Sequence, residues 1–134
     1  MTTRRASCSC GQLYLDAEGE PVRISVCNCL ACQQRTGSVF GAQARFPADR
    51  VKGPYGRSTA YTRIGDSGNE VTFHFCPTCG ATLYWRIPAL PDYLVVTMGS
   101  FADPKFPPPK HSVYEERAHS WSRVPAGADI EHLD

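Results

Sequence analysis

The sequence predicts a mainly β chain with short helical turns. Three observations carry that expectation. Short runs alternate apolar and polar residues with period two, the pattern of half-buried strands. Eleven Gly and eleven Pro punctuate those runs, which favours many turns over long helices. Seven Cys fall in three spaced groups rather than along one apolar stripe.

Taken in order, "QLYLDAE" alternates Leu13 and Leu15 with other residues, and "VRISV" alternates Val22, Ile24 and Val26 with polar neighbours. "LACQQRTG" is the one stretch with helical character, and Gly37 is its stop signal. "VFGAQARF" follows as a strand. "STAYTRI", "EVTFHF", "ATLYWRI" and "YLVVTMG" are each bounded by Gly, Pro, Asp or Asn. Val71, Phe73 and Phe75 are expected on one face. Leu83, Trp85 and Ile87 are expected on one face of their own strand, with Tyr84 and Arg86 on the other. The tail from Asp103 reads "DPKFPPPK", and its prolines predict a segment that wraps the body without adding strands. No internal repeat or long linker divides the chain, so residues 1–134 are expected to form a single domain.

Charge excludes some functions. A net charge of +1 and a sequence pI of 7.6 give no field for nucleic-acid or membrane binding. No Arg/Lys stripe alternates with aromatics. "MTTRRASCSC" has no apolar run after its arginines, unlike a secretory signal, and no stretch reaches the length of a membrane span. The expected compartment is therefore the reducing cytosol, a cytoplasmic location. There, clustered cysteines are metal ligands more often than disulfides, and an odd count cannot pair completely.

The cysteine spacings divide the seven. "FCPTCG" places Cys76 and Cys79 across a tight turn that aims both sulfurs at one point, and Gly80 lets the chain leave. "SCSCG" is too short for that turn. In an extended segment, however, Cys8 and Cys10 face the same side, with Gly11 releasing the chain. Two plus two makes a closed four-sulfur zinc site linking distant segments. "CNCLAC" leaves Cys27, Cys29 and Cys32 together. Three protein ligands leave a fourth zinc position for water or substrate, as in catalytic sites. Two Zn²⁺ per chain are expected. The competing readings are that the cysteines are free and packed as small hydrophobes, or that His74, His111, His119 or His132 closes the trio into a second structural site.

The ordered set "CSCG", "CNCLACQQRTGSVF", "FCPTCGATLYW", "GSFADP" and "HSVYEERAHSW" resembles the glutathione-dependent formaldehyde-activating enzyme family, which includes the centromere protein V group. The resemblance runs from about Cys8 to Trp121. It implies a zinc-bound, mainly β, Mss4-like (β-tent) fold. It also implies a structural zinc on Cys8, Cys10, Cys76 and Cys79, and a catalytic zinc on Cys27, Cys29 and Cys32. Two positions depart from the usual family pattern: Asn28 stands where His is common, and Gln34 stands where a basic residue is common. Neither change touches the ligand set; both bear on the substrate.

The activity so implied is that of a carbon–sulfur lyase, joining glutathione to formaldehyde as S-hydroxymethylglutathione or reversing that step. The chemistry suits the site, because zinc favours the thiolate and the thiolate is the nucleophile. The partner is then a small thiol such as glutathione. Its two carboxylates would need donors, for which Arg35, Arg63 and Arg86 are candidates, with Arg35 the substrate-binding expectation. The alternative function is a non-catalytic zinc scaffold, which has no need of a vacant metal position.

Overall fold

In the computed structural model, residues 1–122 and 129–134 are described. The strands are β1 (Thr3–Ser7), β2 (Tyr14–Glu18), β3 (Arg23–Cys27), β4 (Gly41–Pro47), β5 (Val51–Tyr55), β6 (Thr59–Ile64), β7 (Glu70–Phe75), β8 (Thr82–Arg86), β9 (Tyr93–Thr97), β10 (His111–Val113) and β11 (Glu131–His132). One helix, α1 (Leu30–Thr36), lies between β3 and β4. Cys29 caps its start, accepting from the Cys32 N–H, and Gly37 ends it in the left-handed conformation at φ 70°.

Two sheets form. The smaller has the order β1-β2-β5, and the larger runs β11-β10-β3-β4-β9-β8-β7-β6. The main core fills the space between them. Ala6, Leu15 and Ala17 from the small sheet meet Ile24, Phe46, Leu94 and Val96 from the large one. The opposite face of the large sheet carries a second cluster of Val71, Phe73, Trp85 and Val95. Arg117, just beyond β10, donates through Nη1 to Asp66 Oδ2 in the β6–β7 turn at 3.0 Å, tying the segment after β10 to that turn.

Four expectations need correction. The segment after Asp103 does add strands. β10 pairs parallel with β3 just after the prolines that barred pairing, and β11 pairs parallel with β10 on its other side. Alternation in the sequence does not mark β1 or β5; β1 is the polar run "TRRAS", and β5 contains Gly53 and Pro54. Both flank β2 at the edges of the small sheet, where weak strand formers are tolerated. Leu83 does not share a face with Trp85. Phe75 pairs with Thr82 while His74 pairs with Tyr84, so Leu83 is the extra residue of a β-bulge. It turns into the main core beside Tyr84, while Trp85 joins the second cluster with Ile87 packed against it. Finally, Cys8 and Cys10 are not extended. The Gly11 N–H donates to the Cys8 carbonyl at 3.1 Å, closing a turn.

Candidate metal centres and the adjoining cleft

The first cluster is built from two hairpin turns. Cys8 and Cys10 lie in the β1–β2 connection, and Cys76 and Cys79 in the β7–β8 connection. The four sulfurs lie within 4.8 Å of one another. Cys8 to Cys10 is 3.6 Å and Cys10 to Cys76 is 3.7 Å. A tetrahedral ion with Zn–S bonds of about 2.3 Å requires sulfurs about 3.8 Å apart, so the donor set fits zinc. The sulfurs also receive N–H donors, as thiolates need. Leu13 donates to Cys8 at 3.4 Å, Thr78 to Cys76 at 3.4 Å, and the Gln12 amide to Cys76 at 3.0 Å. Burial pushes the Cys76 thiol up, but the bonds from Gln12 and from the Cys79 and Thr78 backbone outweigh it and bring it down to about 5.

The second cluster sits at the C-terminal end of β3. Cys27 ends the strand, Cys29 caps α1, and Cys32 lies in its first turn, again with all sulfurs within 4.8 Å. All three are buried, with Ala31, Val113 and Tyr114 packed around them. The Cys27 thiol donates toward Cys32 and lowers it to about 6, against its burial; the neighbouring Arg35 guanidinium adds to the effect. Burial raises the Tyr114 phenol, which stays protonated beside Cys27 and Cys29.

Among the described residues no histidine joins the trio. His74 stacks on Tyr84, and His111 pairs with Glu131 at 3.0 Å. His119 meets Gln33 at 3.0 Å, and His132 meets Glu115 at 2.9 Å. Asn28 also points away from the thiols. Its amide donates to the Val113 carbonyl at 2.9 Å and to Ser112 Oγ at 3.3 Å, fastening β3 to β10. The first departure from the family pattern is thus a structural residue.

Beside the trio, a cleft of about 320 Å³ is bordered by Ala31, Gln34 and Arg35 of α1 and by Tyr61, Arg63 and Phe73 of the sheet. Arg35 lies over the Trp85 ring at 4.7 Å and the Phe73 ring at 5.3 Å. Gly41 makes room for it: a Cβ there would come within 3.0 Å of Arg35 Nη2. Arg63 approaches Phe73 at 5.4 Å. Gln34, the second departure, lines the same cleft. Arg86 does not; it lies over the Tyr84 ring. Gln12, Gly41, Phe73 and Trp85 are site residues that the sequence does not mark. Their types carry no signal, because their roles come from what the fold sets beside them.

The model of the glutathione-dependent formaldehyde-activating enzyme family matches residues 3–117. The chain belongs to that family. A Rhodobacter sphaeroides protein of known crystal structure superposes with a TM-score of 0.56 at 20% identity, over 72% of this chain and 85% of that one. The fold is accordingly mainly β and Mss4-like. No curated relative matches. No described helix is long and apolar enough to cross a membrane.

Proposed function

We propose that the protein is a single-domain, cytoplasmic carbon–sulfur lyase that uses zinc to handle a thiol adduct of formaldehyde, with glutathione as the thiol. The observation that carries this reading is the three-sulfur cluster, with no fourth protein ligand among the described residues, beside a cleft holding two arginines. Cys8, Cys10, Cys76 and Cys79 would hold a structural zinc, and Cys27, Cys29 and Cys32 a second one. When bound there, zinc favours the thiolate form of an entering thiol and so supplies the nucleophile for addition to an aldehyde carbon. In the addition, sulfur bonds to carbon, the C=O π bond opens, and the thiol's proton goes to the new hydroxyl.

The chain's own residues bind and orient. Arg35, fixed between Gly41 and the Trp85 ring, presents donors to a carboxylate at the cleft. Arg63 offers a second cation across it. Phe73 gives the cleft an apolar wall and is backed by the Trp85 ring. Cobalt substitution tests the reading, since cobalt–thiolate coordination gives a visible charge-transfer band. Glutathione should change the trio's band, and its S-methyl derivative should not. Identical responses to the two compounds would refute direct coordination of the thiol and favour the scaffold reading.

A further inference from the structure

A row of side chains crosses the face of the large sheet that carries the second cluster. Arg23 lies opposite Arg45, Arg45 opposite Val95, and Val95 opposite Trp85. Like charges facing each other across an antiparallel pair are destabilising. Among the described residues, every ion pair lies elsewhere, so neither arginine has a carboxylate partner. Arg45 Nε and Gln43 Oε1 are both buried without a hydrogen-bond partner. Native folds keep few such atoms, and an ordered water, an ion or a ligand is the usual partner. The Arg45 guanidinium also lies over the Tyr93 ring at 5.8 Å, which leaves its Nε unbonded. Arg23, Gln43, Arg45 and Trp85 border one small hollow. Burial and the charge of Arg23 both depress the Arg45 guanidinium, a cost that an anion in the hollow would relieve.

We propose that Arg23, Gln43 and Arg45 form a subsite for the α-amino-acid end of a small ligand, carboxylate on the arginines and ammonium on Gln43 Oε1. The hollow presents two kinds of group. The arginines only donate, and the inward amide oxygen only accepts. A simple carboxylate or a phosphate answers the first and leaves the second unmet. An α-amino acid carries an acceptor and a donor on one carbon and answers both.

The placement agrees with the trio. Cys27 lies opposite Gly41, and Arg23 lies opposite Arg45, in the same strand pair. Four residues along a strand span about 13 Å. In extended glutathione, seven bonds separate sulfur from the γ-glutamyl α-carbon, about 9 Å. The arginine side chains cover the remainder. The subsite therefore rests on the proposed function, and selects thiols with a γ-glutamyl end.

Calorimetric titration of the zinc-loaded protein tests it with three ligands. These are glutathione, 4-aminobutyryl-cysteinylglycine, which lacks the α-carboxylate, and glutaryl-cysteinylglycine, which lacks the ammonium. Both analogues should bind wild type at least tenfold more weakly than glutathione. Arg45→Gln should weaken glutathione to the level of the first analogue and leave that analogue within twofold. Because Arg45 is half-buried, Gln43→Glu serves as a second variant: it gives the arginines an internal carboxylate. It should melt no lower than wild type and bind glutathione at least tenfold more weakly. If glutathione binds wild type and both variants alike, the subsite is wrong and the thiol chemistry stands. If glutathione does not bind wild type, the proposed function falls and the subsite falls with it.

Discussion

The two clusters differ in what they tie together, and that difference has a size. Cys10 and Cys76 touch across 66 residues of sequence, whereas Cys27 and Cys32 are five apart. Replacing Cys76 and Cys79 together by Ser leaves Cys8 and Cys10 on one segment and abolishes the first cross-link. Replacing Cys27 and Cys29 together abolishes the second. Chain-entropy reasoning gives about 4 kcal/mol for closing the long loop and about 2 kcal/mol for the short one. With an unfolding entropy of about 2.1 cal/mol/K per residue, the 134 residues give about 0.28 kcal/mol per degree. The expected falls in Tm are then about 15 °C for C76S/C79S and about 7 °C for C27S/C29S. Scanning calorimetry of the zinc-loaded variants measures both. Metal affinity is lost in each case and adds to both numbers, so the ordering is the robust quantity. Equal falls, or a larger fall for C27S/C29S, would refute the division into a fold-bridging site and a local one.

Three further outcomes follow from particular residues. Gly41→Ala places a methyl 3.0 Å from Arg35 Nη2, the end of a flexible side chain; stability should change by less than about 1 kcal/mol, while KM for the thiol rises several-fold, and an unchanged KM would remove Arg35 from substrate binding. Asn28→Ala removes two side-chain bonds, while the Val113 carbonyl keeps the Asn28 backbone N–H and Ser112 keeps Glu115, so urea unfolding should show a cost of about 0.5–1.5 kcal/mol; a neutral result would deny Asn28 its fastening role. For protein stripped of the trio's metal, Cys32 is held down to about 6, chiefly by the Cys27 thiol, against an ordinary value of 9.0. Its contribution to stability is full above pH 9 and is lost as pH falls through 6. The urea midpoint should therefore rise with pH from about 6 to about 8, above which Cys27 and Cys29, whose thiols are held up, oppose it; Cys32→Ser should flatten the rise.

Much of this is legible in the sequence. The strand runs were readable because each buries one face, so apolar residues recur every second position; the alternation in "EVTFHF" emerges as buried Val71 and Phe73. The cysteine grouping was readable because ligand spacing is a local property. What failed was non-local. Nothing in "KHSVYEE" announces a strand, because β10 is only three residues long and depends on the edge that β3 offers. Period-two counting places Leu83 on the wrong face, because a bulge breaks the count and bulges depend on the partner strand. The row of arginines was invisible for a related reason. Arg23 and Arg45 lie in different runs, and only the register of β3 with β4 sets them opposite each other.

The same non-local logic links the two clusters to each other. Gly80, Ala81 and Thr82 leave the first cluster directly after Cys79 and line a groove whose other wall is Arg35 and Thr36 of α1. Thr82 also borders the cleft that Arg35 shares with Arg63. Arg35 is therefore bounded on one side by chain that the four-sulfur cluster holds in place. Phe75 and Thr82, which close the β7–β8 hairpin at the cleft, are joined through the Cys76–Cys79 turn itself. Loosening that turn should reach the cleft without touching the trio. Cys79→Ser is the suitable perturbation, because Cys79 is exposed and three sulfurs remain to hold the segment. Well below its melting temperature, the variant should still bind a metal at Cys27, Cys29 and Cys32. Its affinity for glutathione should nonetheless fall about tenfold, since Arg35 and Arg63 no longer face a fixed wall. Cobalt spectra report the trio, and calorimetry reports the thiol. An unaltered affinity in a variant whose first metal is demonstrably weakened would show that the two clusters act independently. It would also confine the four-sulfur site to holding the small sheet on the large one.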